Sequence, residues 1–346
     1  MTYQKVLKKV TILASVLLIF IHSLKAQEFI WKTGFSGFFD NREYFNPYIE
    51  PQTMFGARIF GFAGLAINEQ QEFGAGINFL YEFGGEVSHN SFSPLLYYHF
   101  ENKLVNFYLG AFPRKYLAEF PIVLQTDTID YYRPNIEGIF VDFRKSWGSH
   151  SFWIDWTSRQ TNTERESFKI LGTGKLHHGW IFYQHDLIME HLAGPAIDIP
   201  GDHIRDRGGA YFRLGVNLSS LTFFDSLSIS AGYAMSYDRI RNVYDLKFYH
   251  GSQLELIAEY RHLGIKNTLY IGEGQAEGIG EAVYMASFYN RTDLYWRIFR
   301  ERTVDARIEF SFHVIENVLD FSQKLTVYAS LDGENPIRHR SKNSGR

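Results

Sequence analysis

Hydrophobic and polar positions alternate over long stretches of the chain, most regularly between Glu72 and Gly84. Every second residue there is apolar or aromatic, and the residues between them are mostly small or polar. Because successive side chains of a strand point to opposite faces, this pattern predicts a β-strand with one apolar face. It runs for about eleven residues, which suits a tilted strand that crosses a bilayer and exceeds the usual length of a soluble strand. The apolar series is Phe73, Ala75, Ile77, Phe79, Tyr81 and Phe83, and the other is Gly74, Gly76, Asn78, Leu80 and Glu82.

The same alternation recurs along the chain and predicts an all-β fold. We expect a transmembrane antiparallel up-and-down β-barrel of about 16 strands, with 14 to 18 as the range that the pattern allows. An even number of strands lets the last strand pair with the first, which leaves no open edge. The predicted strands are 28–40, 53–66, 72–84, 92–100, 104–113, 138–146, 150–158, 167–174, 179–190, 209–219, 226–238, 252–261, 265–273, 292–300, 303–316 and 320–331.

The connections between these strands alternate in length, which is typical of an outer-membrane barrel. Such a barrel has short periplasmic turns and long external loops, whereas a soluble sandwich has no reason to sort its loops in this way. The predicted short connections are 68–71, 101–103, 147–149 and 262–264, and the predicted long ones are 41–52, 114–137, 159–166, 191–208, 239–251 and 274–291.

Charged side chains on the non-apolar face of the strands indicate a water-filled lumen lined by both positive and negative charges. A charge facing lipid at the midplane costs about 2–4 kcal/mol, whereas a charge facing water costs little. The predicted lumen charges are Arg58, Glu82, Asp142, Arg144, Asp155, Arg213, Glu255, Glu259, Arg261, Arg297, Asp305, Arg307 and Glu309. Tyr97, Tyr98, Trp153, Trp156, Trp180 and Trp296 are candidates for the interfacial aromatic girdle, with packing inside the barrel as the alternative for each.

The longest connection, 113–137, combines an apolar section at 120–124 with charges. It follows the fifth strand, so it would be the third external loop. In one interpretation this loop folds inward and narrows the lumen, and in the other it covers the mouth of the barrel. The residues of the predicted constriction loop are Arg114, Lys115, Asp127, Asp130 and Arg133.

The N-terminus has the pattern of a secretory signal peptide. A positive segment with Lys5, Lys8 and Lys9 precedes an apolar segment at 10–21, and the small residue Ala26 would end the peptide. About twelve apolar residues are too few for a spanning anchor helix, which is the alternative. The predicted organisation is therefore a signal peptide at 1–26, a barrel at 27–331 and a polar tail at 332–346.

Composition and charge exclude several function classes. The chain has no Cys, so a disulfide framework and a Cys-based metal site are excluded. Its net charge is −3, and the four lysines of 1–26 make the remainder more acidic, which argues against a nucleic-acid partner. Aromatic residues make up 17% of the chain, as expected for girdles and a barrel wall. No cofactor is predicted.

Two groups of residues suggest chemistry without the spacing that a site needs. His177, His178, His185, Glu190 and His191 invite a metal site, but on a strand Glu190 lies on the other face from His185 and His191, so a solvated rim is favoured. The segment 88–91 contains a Ser and a His, as an outer-membrane phospholipase does, but adjacent residues do not establish a nucleophile–base contact. We therefore predict neither a metal site nor a catalytic site.

The whole mature chain resembles Gram-negative outer-membrane barrels of the porin type. The KAQ end of the signal peptide and the opening GFSGFFDNREYFNPYIEPQTMFGARIF (34–60) resemble barrels of Bacteroidota. The resemblance implies a bacterial outer-membrane location, with membrane lipid and the barrel-assembly machinery as partners and a homo-oligomer as one possible state. Such barrels usually end on an aromatic residue, whereas this chain continues through a polar tail.

The resemblance and the mixed lumen charge together predict a passive or weakly selective channel for small hydrophilic solutes. On this hypothesis the protein is not an enzyme. The alternatives are an outer-membrane hydrolase or lipid-modifying enzyme, and a structural or secretion-associated barrel. An enzyme would need Ser, His and acidic side chains that converge at the barrel rim.

Overall fold

The protein forms a barrel of sixteen long strands. The structure is a computed structural model that describes residues 28–86, 90–115, 117, 119–197 and 202–333. The predicted signal peptide 1–26 and the tail from 334 onward lie outside the described residues. The strands are β1 (Glu28–Glu43), β2 (Gln52–Ala66), β3 (Gln71–Glu82), β4 (Ser91–Glu101), β5 (Val105–Pro113), β6 (Asn135–Lys145), β7 (Gly148–Ser158), β8 (Ser167–His178), β9 (Ile181–Leu192), β10 (Arg205–Asn217), β11 (Ser226–Ile240), β12 (Tyr244–Tyr260), β13 (Leu263–Gly272), β14 (Phe288–Arg300), β15 (Val304–Ile315) and β16 (Val318–Asp332).

The sheet closes on itself. Each strand pairs antiparallel with its sequence neighbours, and β1 pairs with β16 from Lys32↔Asp332 to Glu43↔Phe321. Closure satisfies the backbone hydrogen bonds of both terminal strands, so none of the sixteen described strands has an open edge. The predicted all-β, antiparallel 16-strand barrel is therefore confirmed.

Within the described ranges, helical structure is confined to the connections. The described elements are the helix α1 (Ile129–Tyr132) and two short 3-10 helices, Ser219–Leu221 and Ala282–Met285. Among the described residues, no helix is both long enough and apolar enough to cross a lipid bilayer.

The side chains alternate across the barrel wall as the sequence pattern predicts. On β3, Phe73, Ile77 and Tyr81 are exposed on the outer face, whereas Asn78 and Leu80 are buried inside. We call the end that carries the β1–β2 connection the long-loop end, and the opposite end the short-turn end. Outward aromatic and aliphatic side chains thus form the apolar band that a spanning barrel needs.

Three strands begin at least four residues earlier than the sequence predicts. β10, β12 and β14 start at Arg205, Tyr244 and Phe288, so the predicted loop 239–251 shrinks to 241–243. Residues 245–248 are all exposed. A strand that extends beyond the hydrocarbon layer has polar surroundings on both faces, and its sequence then loses the alternation by which strands are recognised.

Two of the predicted girdle aromatics lie inside the barrel. Trp153 and Tyr97 are buried on the inner face, whereas their neighbours Trp156 and Tyr98 point outward. Trp153 shares the face of Asp155, because residues two apart on a strand point the same way. The alternative of packing inside the barrel therefore holds for both residues.

Two connections fold into the lumen at the long-loop end. We call residues 114–134 the third loop and residues 273–287 the seventh loop. The apolar section of the third loop is buried, with Val123 and Leu124 at 0% and 1% exposure, and it packs with Ile279 of the seventh loop. The Glu281 amide donates to the Ile122 carbonyl at 2.9 Å, which joins the two loops.

Glycines permit this close approach. Gly209 of β10 has no Cβ, and Leu124 and Ile279 occupy the space above it. Gly280 has a φ of +73°, and a Cβ there would lie 2.4 Å from the Val123 carbonyl oxygen. The two loops therefore form an inner layer that fills the lumen near its long-loop end.

Candidate functional site

A network of charged side chains joins the two inward loops to the inner wall of the barrel. We call it the lumen charge cluster. The strand members all occupy inward-facing positions of β1, β14, β15 and β16, and the loop members come from the third and seventh loops. It consists of Asp40, Arg42, Asp127, Glu281, Arg291, Glu309 and Lys324.

Arg42 is the centre of this cluster. Its Nη2 lies 2.9 Å from Asp40 and 2.8 Å from Asp127, and its Nη1 lies 3.1 Å from Glu281. Lys324 Nζ donates to Asp127 at 2.6 Å. Arg42 of β1 thereby contacts both loops, and Lys324 of β16 contacts the third loop.

Ion pairing and burial set the protonation of the two loop carboxyls. Burial disfavours the Asp127 carboxylate, but Lys324 and Arg42 outweigh burial and hold its pKa well below the usual range. Burial and the nearby Asp127 carboxylate raise the pKa of Glu281, which Arg42 opposes. The cluster therefore favours a charged Asp127 beside a Glu281 that takes up a proton more readily.

A small cavity lies within the cluster. Its volume of about 10 Å³ is close to the space that one water molecule requires. Both charges and hydroxyls line it, so a bound water would find several hydrogen-bond partners. The lining includes Asp40, Arg42, Tyr44, Asp127, Glu281, Tyr289, Arg291, Glu309, Ser322 and Lys324.

A histidine contacts the serine that lines this cavity. His313 Nε2 lies 2.9 Å from Ser322 Oγ, and His313 Nδ1 lies 2.8 Å from the Tyr289 hydroxyl. The pairs His313↔Asp320 and Ser311↔Ser322 place these side chains diagonally across β15 and β16. Both are inward, with 1% exposure for His313 and 8% for Ser322.

This arrangement has the geometry of a nucleophile and its base. A serine within hydrogen-bond reach of a histidine, which a third group orients, is the arrangement that activates a hydroxyl for acyl transfer. With the Ser322 hydroxyl donating to Nε2, His313 Nδ1–H donates to the Tyr289 oxygen. Tyr289 thus takes the orienting place that a carboxylate fills in many hydrolases.

The predicted lumen charges occupy inward positions with one exception. Arg213 pairs with Glu255, Arg297 with Glu259, and Arg144 with Asp142. Arg307 pairs with Glu309, and the Arg58 guanidinium donates to the Tyr131 carbonyl. Glu82, Asp155 and Asp305 also occupy inward-facing positions of β3, β7 and β15.

The exception is Arg261. It lies in the turn between β12 and β13 with a φ of 56°, and its guanidinium stacks on the outward Tyr260. The predicted strand 252–261 ends one residue after β12 does, so Arg261, which lies in the turn, was assigned to the lumen.

The residues of the predicted constriction loop make contacts inside the barrel. Arg114 pairs with Asp155, and Lys115 Nζ lies 3.5 Å above the ring of Tyr328. Asp127 belongs to the lumen charge cluster, and Asp130 lies in α1. Arg133 Nη1 lies 3.3 Å from the Thr157 carbonyl. Whether these contacts limit the passage of solutes stays a prediction.

His313, Ser322 and Tyr289 were not among the residues predicted from the sequence. The alternation along three adjacent strands places all three side chains on the inner face. Alternation does not give the register between strands that brings these side chains together. Of the residues considered for metal binding, His185 points outward and lies 3.2 Å from His150, whereas Glu190 points inward and pairs with Arg207. Ser88 and His89 lie outside the described residues.

The barrel is similar to solved structures of outer-membrane porins. An anion-selective porin from Comamonas acidovorans matches with a TM-score of 0.52 and 9% identity, over 88% of this chain and 99% of that chain. A loop L8 deletion mutant of OmpT, an outer membrane protein of Vibrio cholerae, matches with a TM-score of 0.52 and 9% identity, over 89% of this chain and 100% of that chain. At this identity the likeness shows the fold alone.

A family model identifies the relatives of the chain. No curated protein matches the sequence. The model that matches residues 21–334 is described as Lipid A 3'-O-deacylase-type. A deacylase is an enzyme, so the prediction that the protein is not an enzyme is wrong. The chain belongs to the Lipid A 3'-O-deacylase-type family.

Proposed function

We propose that the protein is an outer-membrane ester hydrolase that removes an acyl chain from a lipid of the lipid A class. The observation that carries the proposal is the contact of Ser322 with His313 beside a polar cavity, in a chain of a deacylase-type family. Ser322 is the proposed nucleophile and His313 the proposed general base. Tyr289 is a positioning residue, because it touches the imidazole rather than the substrate.

The reaction proceeds by acyl transfer. Ser322 Oγ attacks the ester carbonyl carbon while its proton passes to His313 Nε2, and the carbonyl oxygen takes the negative charge. His313 then returns the proton to the leaving alkoxide as the ester bond breaks, which releases the deacylated lipid. A water then attacks the carbonyl carbon of the acyl-serine and gives a proton to His313, which passes it to Ser322 Oγ as the acyl–oxygen bond breaks and the fatty acid leaves.

The charges around the cavity suit this reaction. Lys324, Arg42 and Arg291 line the same cavity as Ser322, so cationic groups are near the place where the oxyanion develops. Their carboxylate partners keep the net charge of the cluster low. The cavity also has room for one water, which the second half-reaction consumes.

The third and seventh loops control access to this site. Ser322 is 8% exposed, so a lipid acyl group reaches it when these loops move aside. Active-site loops commonly exclude water in this way and open to admit the substrate.

Fatty-acid release from lipid A by the purified protein in micelles tests the proposal. Ser322→Ala should abolish release, and His313→Gln should lower its rate about 10²–10⁴-fold, the usual contribution of a general base. Ser311→Ala is the matched control, because Ser311 faces Ser322 on the neighbouring strand but donates to Asp293 at 2.6 Å. Release by Ser322→Ala at the wild-type rate would disprove the assignment of the nucleophile.

The proposed activity also requires export of the protein to the outer membrane. We propose that residues 1–26 direct export and that the mature chain begins at Gln27, in the outer membrane. Mass measurement of the N-terminus and density fractionation of membranes test this. Recovery of the full chain from the cytosol would contradict it.

Diffusion of small hydrophilic solutes is the second candidate function. The inward charges toward the short-turn end, such as Arg144, Arg297 and Lys266, favour a wet lumen there. A channel would conduct ions in a planar bilayer without any dependence on Ser322, which separates the two functions.

A further inference from the structure

A row of paired side chains on the outer face crosses five strands near the long-loop end. The register pairs Trp156 with Phe168, Phe168 with His191, His191 with Asp206, and Asp206 with Arg239. Directly opposed residues of antiparallel strands point to the same face, so the row is continuous. The rings of Trp156 and Phe168 stack at 5.1 Å, and those of Phe168 and His191 are 5.3 Å apart.

The row changes from aromatic to charged at His191. We call His191, Asp206, Arg239 and Arg241 the rim patch. Asp206 accepts from His191 Nδ1 at 2.6 Å and from Arg241 Nε at 2.8 Å. In the part of the chain that the structure describes, Arg239 has no ion-pair partner. The patch therefore contains two guanidinium groups and one carboxylate, and it carries a net positive charge.

The depth of the rim patch corresponds to a lipid headgroup layer. Asp206 is the second residue of β10, and Arg241 directly follows β11. The outward residues of β10 farther from this end are apolar, with Phe212 and Leu214 both exposed. Cations are costly in the hydrocarbon but favourable beside anionic headgroups, where aromatic side chains also collect.

We propose that the rim patch binds the phosphate group of an anionic membrane lipid. Arginine presents a planar fork of N–H donors that matches phosphate oxygens, and Arg239 has its full set of donors available. Trp156 and Phe168 provide an apolar surface beside the patch for the acyl chains of the same lipid. Arg241 pairs with Asp206 and His191 donates a hydrogen bond to it, so the negative charge of this carboxylate is compensated before the phosphate binds.

This site is separate from the proposed active site. Ser322 and His313 point inward on β15 and β16, whereas the rim patch points outward on β9, β10 and β11. The inference therefore does not depend on the proposed function. It assigns a lipid-binding role to residues that the acyl-transfer reaction does not use.

Native mass spectrometry of the protein in detergent micelles tests the proposal. The probes are phosphatidylglycerol, which is anionic, and phosphatidylcholine, which is zwitterionic with the same phosphodiester. The wild type should retain phosphatidylglycerol about tenfold more tightly, since each arginine near a headgroup contributes a severalfold preference. The Arg239→Gln/Arg241→Gln variant should lose this preference and keep the heat-modifiable gel mobility of a folded barrel.

The control is the Arg261→Gln/Arg302→Gln variant, which removes two exposed arginines at the short-turn end. It should keep the preference of the wild type. Equal retention of both lipids by the wild type, or equal losses in the two variants, would overturn the proposal. Displacement of phosphatidylglycerol by millimolar inorganic phosphate would also overturn it, because the patch would then recognise the free anion rather than a lipid.

Discussion

His313 lies between two hydroxyl groups that come from different strands. Ser322 of β16 and Tyr289 of β14 flank it on β15, so three consecutive strands contribute one side chain each. The edge of the Tyr44 ring also packs against the imidazole, with the ring centroids 5.2 Å apart. The wall of a rigid sheet thereby fixes the direction of both imidazole nitrogens.

Tyr289→Phe separates positioning from catalysis. The change removes the oxygen that accepts from His313 Nδ1 but keeps the base and the nucleophile. We expect fatty-acid release to fall by less than about 10²-fold, below the full contribution of a general base. We also expect a changed pH–rate profile, because the imidazole loses a hydrogen-bond partner. An unchanged rate and profile would show that Tyr289 does not orient His313.

Leu214→Arg tests whether Leu214 and the other outward residues of β10 face lipid. Leu214 is outward and 60% exposed near the middle of the apolar band, so an arginine there should destabilise the folded barrel by about 2–4 kcal/mol. Denaturant titration followed by heat-modifiable gel mobility measures this free energy of unfolding. Leu221→Arg is the control, since Leu221 is exposed in the connection between β10 and β11 and should tolerate the charge.

Single residues show where sequence reasoning succeeds and where it ends. Alternation along β7 places Asp155 inside the barrel. Because Trp153 is two residues away, alternation also places it inside, which disagrees with its assignment to the aromatic girdle. Parity also places His313 and Ser322 inside. Their contact depends on the β15–β16 register and on side-chain rotamers, which alternation does not encode.

The third loop is an element whose position depends on charge. Asp127 accepts from Lys324 and Arg42, and the apolar section around Val123 and Leu124 is buried at the same time. The loop therefore docks by burial and ion pairing together. The sequence shows the apolar section and the charges, but it does not show which inward residues receive them.

Docking of the third loop should resist acid. The pKa of Asp127 lies well below its ordinary value of 3.8 in the folded protein, so its stabilising contribution is complete above that value. The contribution is lost as the pH falls through the depressed pKa. Hydrogen exchange of amides 119–133, corrected for intrinsic rates, should show constant protection from pH 7 to about pH 4.

Asp127→Asn provides the comparison for this experiment. It removes the charge that Lys324 and Arg42 neutralise, so protection should fall about ten- to a hundredfold at every pH, as expected for loss of a buried charged hydrogen bond. If the wild-type loop instead loses protection in step with an ordinary aspartate, the ion pairs do not hold it.

At the scale of the whole molecule, the barrel is long, closed and filled near one end. The number of strands and the closure follow from alternation and from an even count, so they could be predicted. The inward position of the third loop was one of two interpretations of the sequence, but its contact with the seventh loop was not predicted, because the two loops meet through backbone contacts such as Glu281 to Ile122. Those contacts join segments that are more than a hundred residues apart and share no pattern.

Deleting residues 122–131 should open the lumen at the long-loop end. The deletion removes Val123, Leu124 and Asp127 from the inner layer, so single-channel conductance in a planar bilayer should rise and larger solutes should pass. Shortening the 159–166 loop by the residues 160–164 is the control, since this loop lies outside the inner layer. Unchanged conductance of a folded deletion variant would show that the third loop does not limit the passage of solutes.

The lumen charge cluster also determines the order of events during assembly. Arg42 is on the first strand and Lys324 on the last, and Asp127 contacts both. This three-way contact can form only after β1 and β16 have met. Until then the third loop has no complete docking site. The inner layer therefore forms late, and its presence reports that a newly inserted chain has closed its seam.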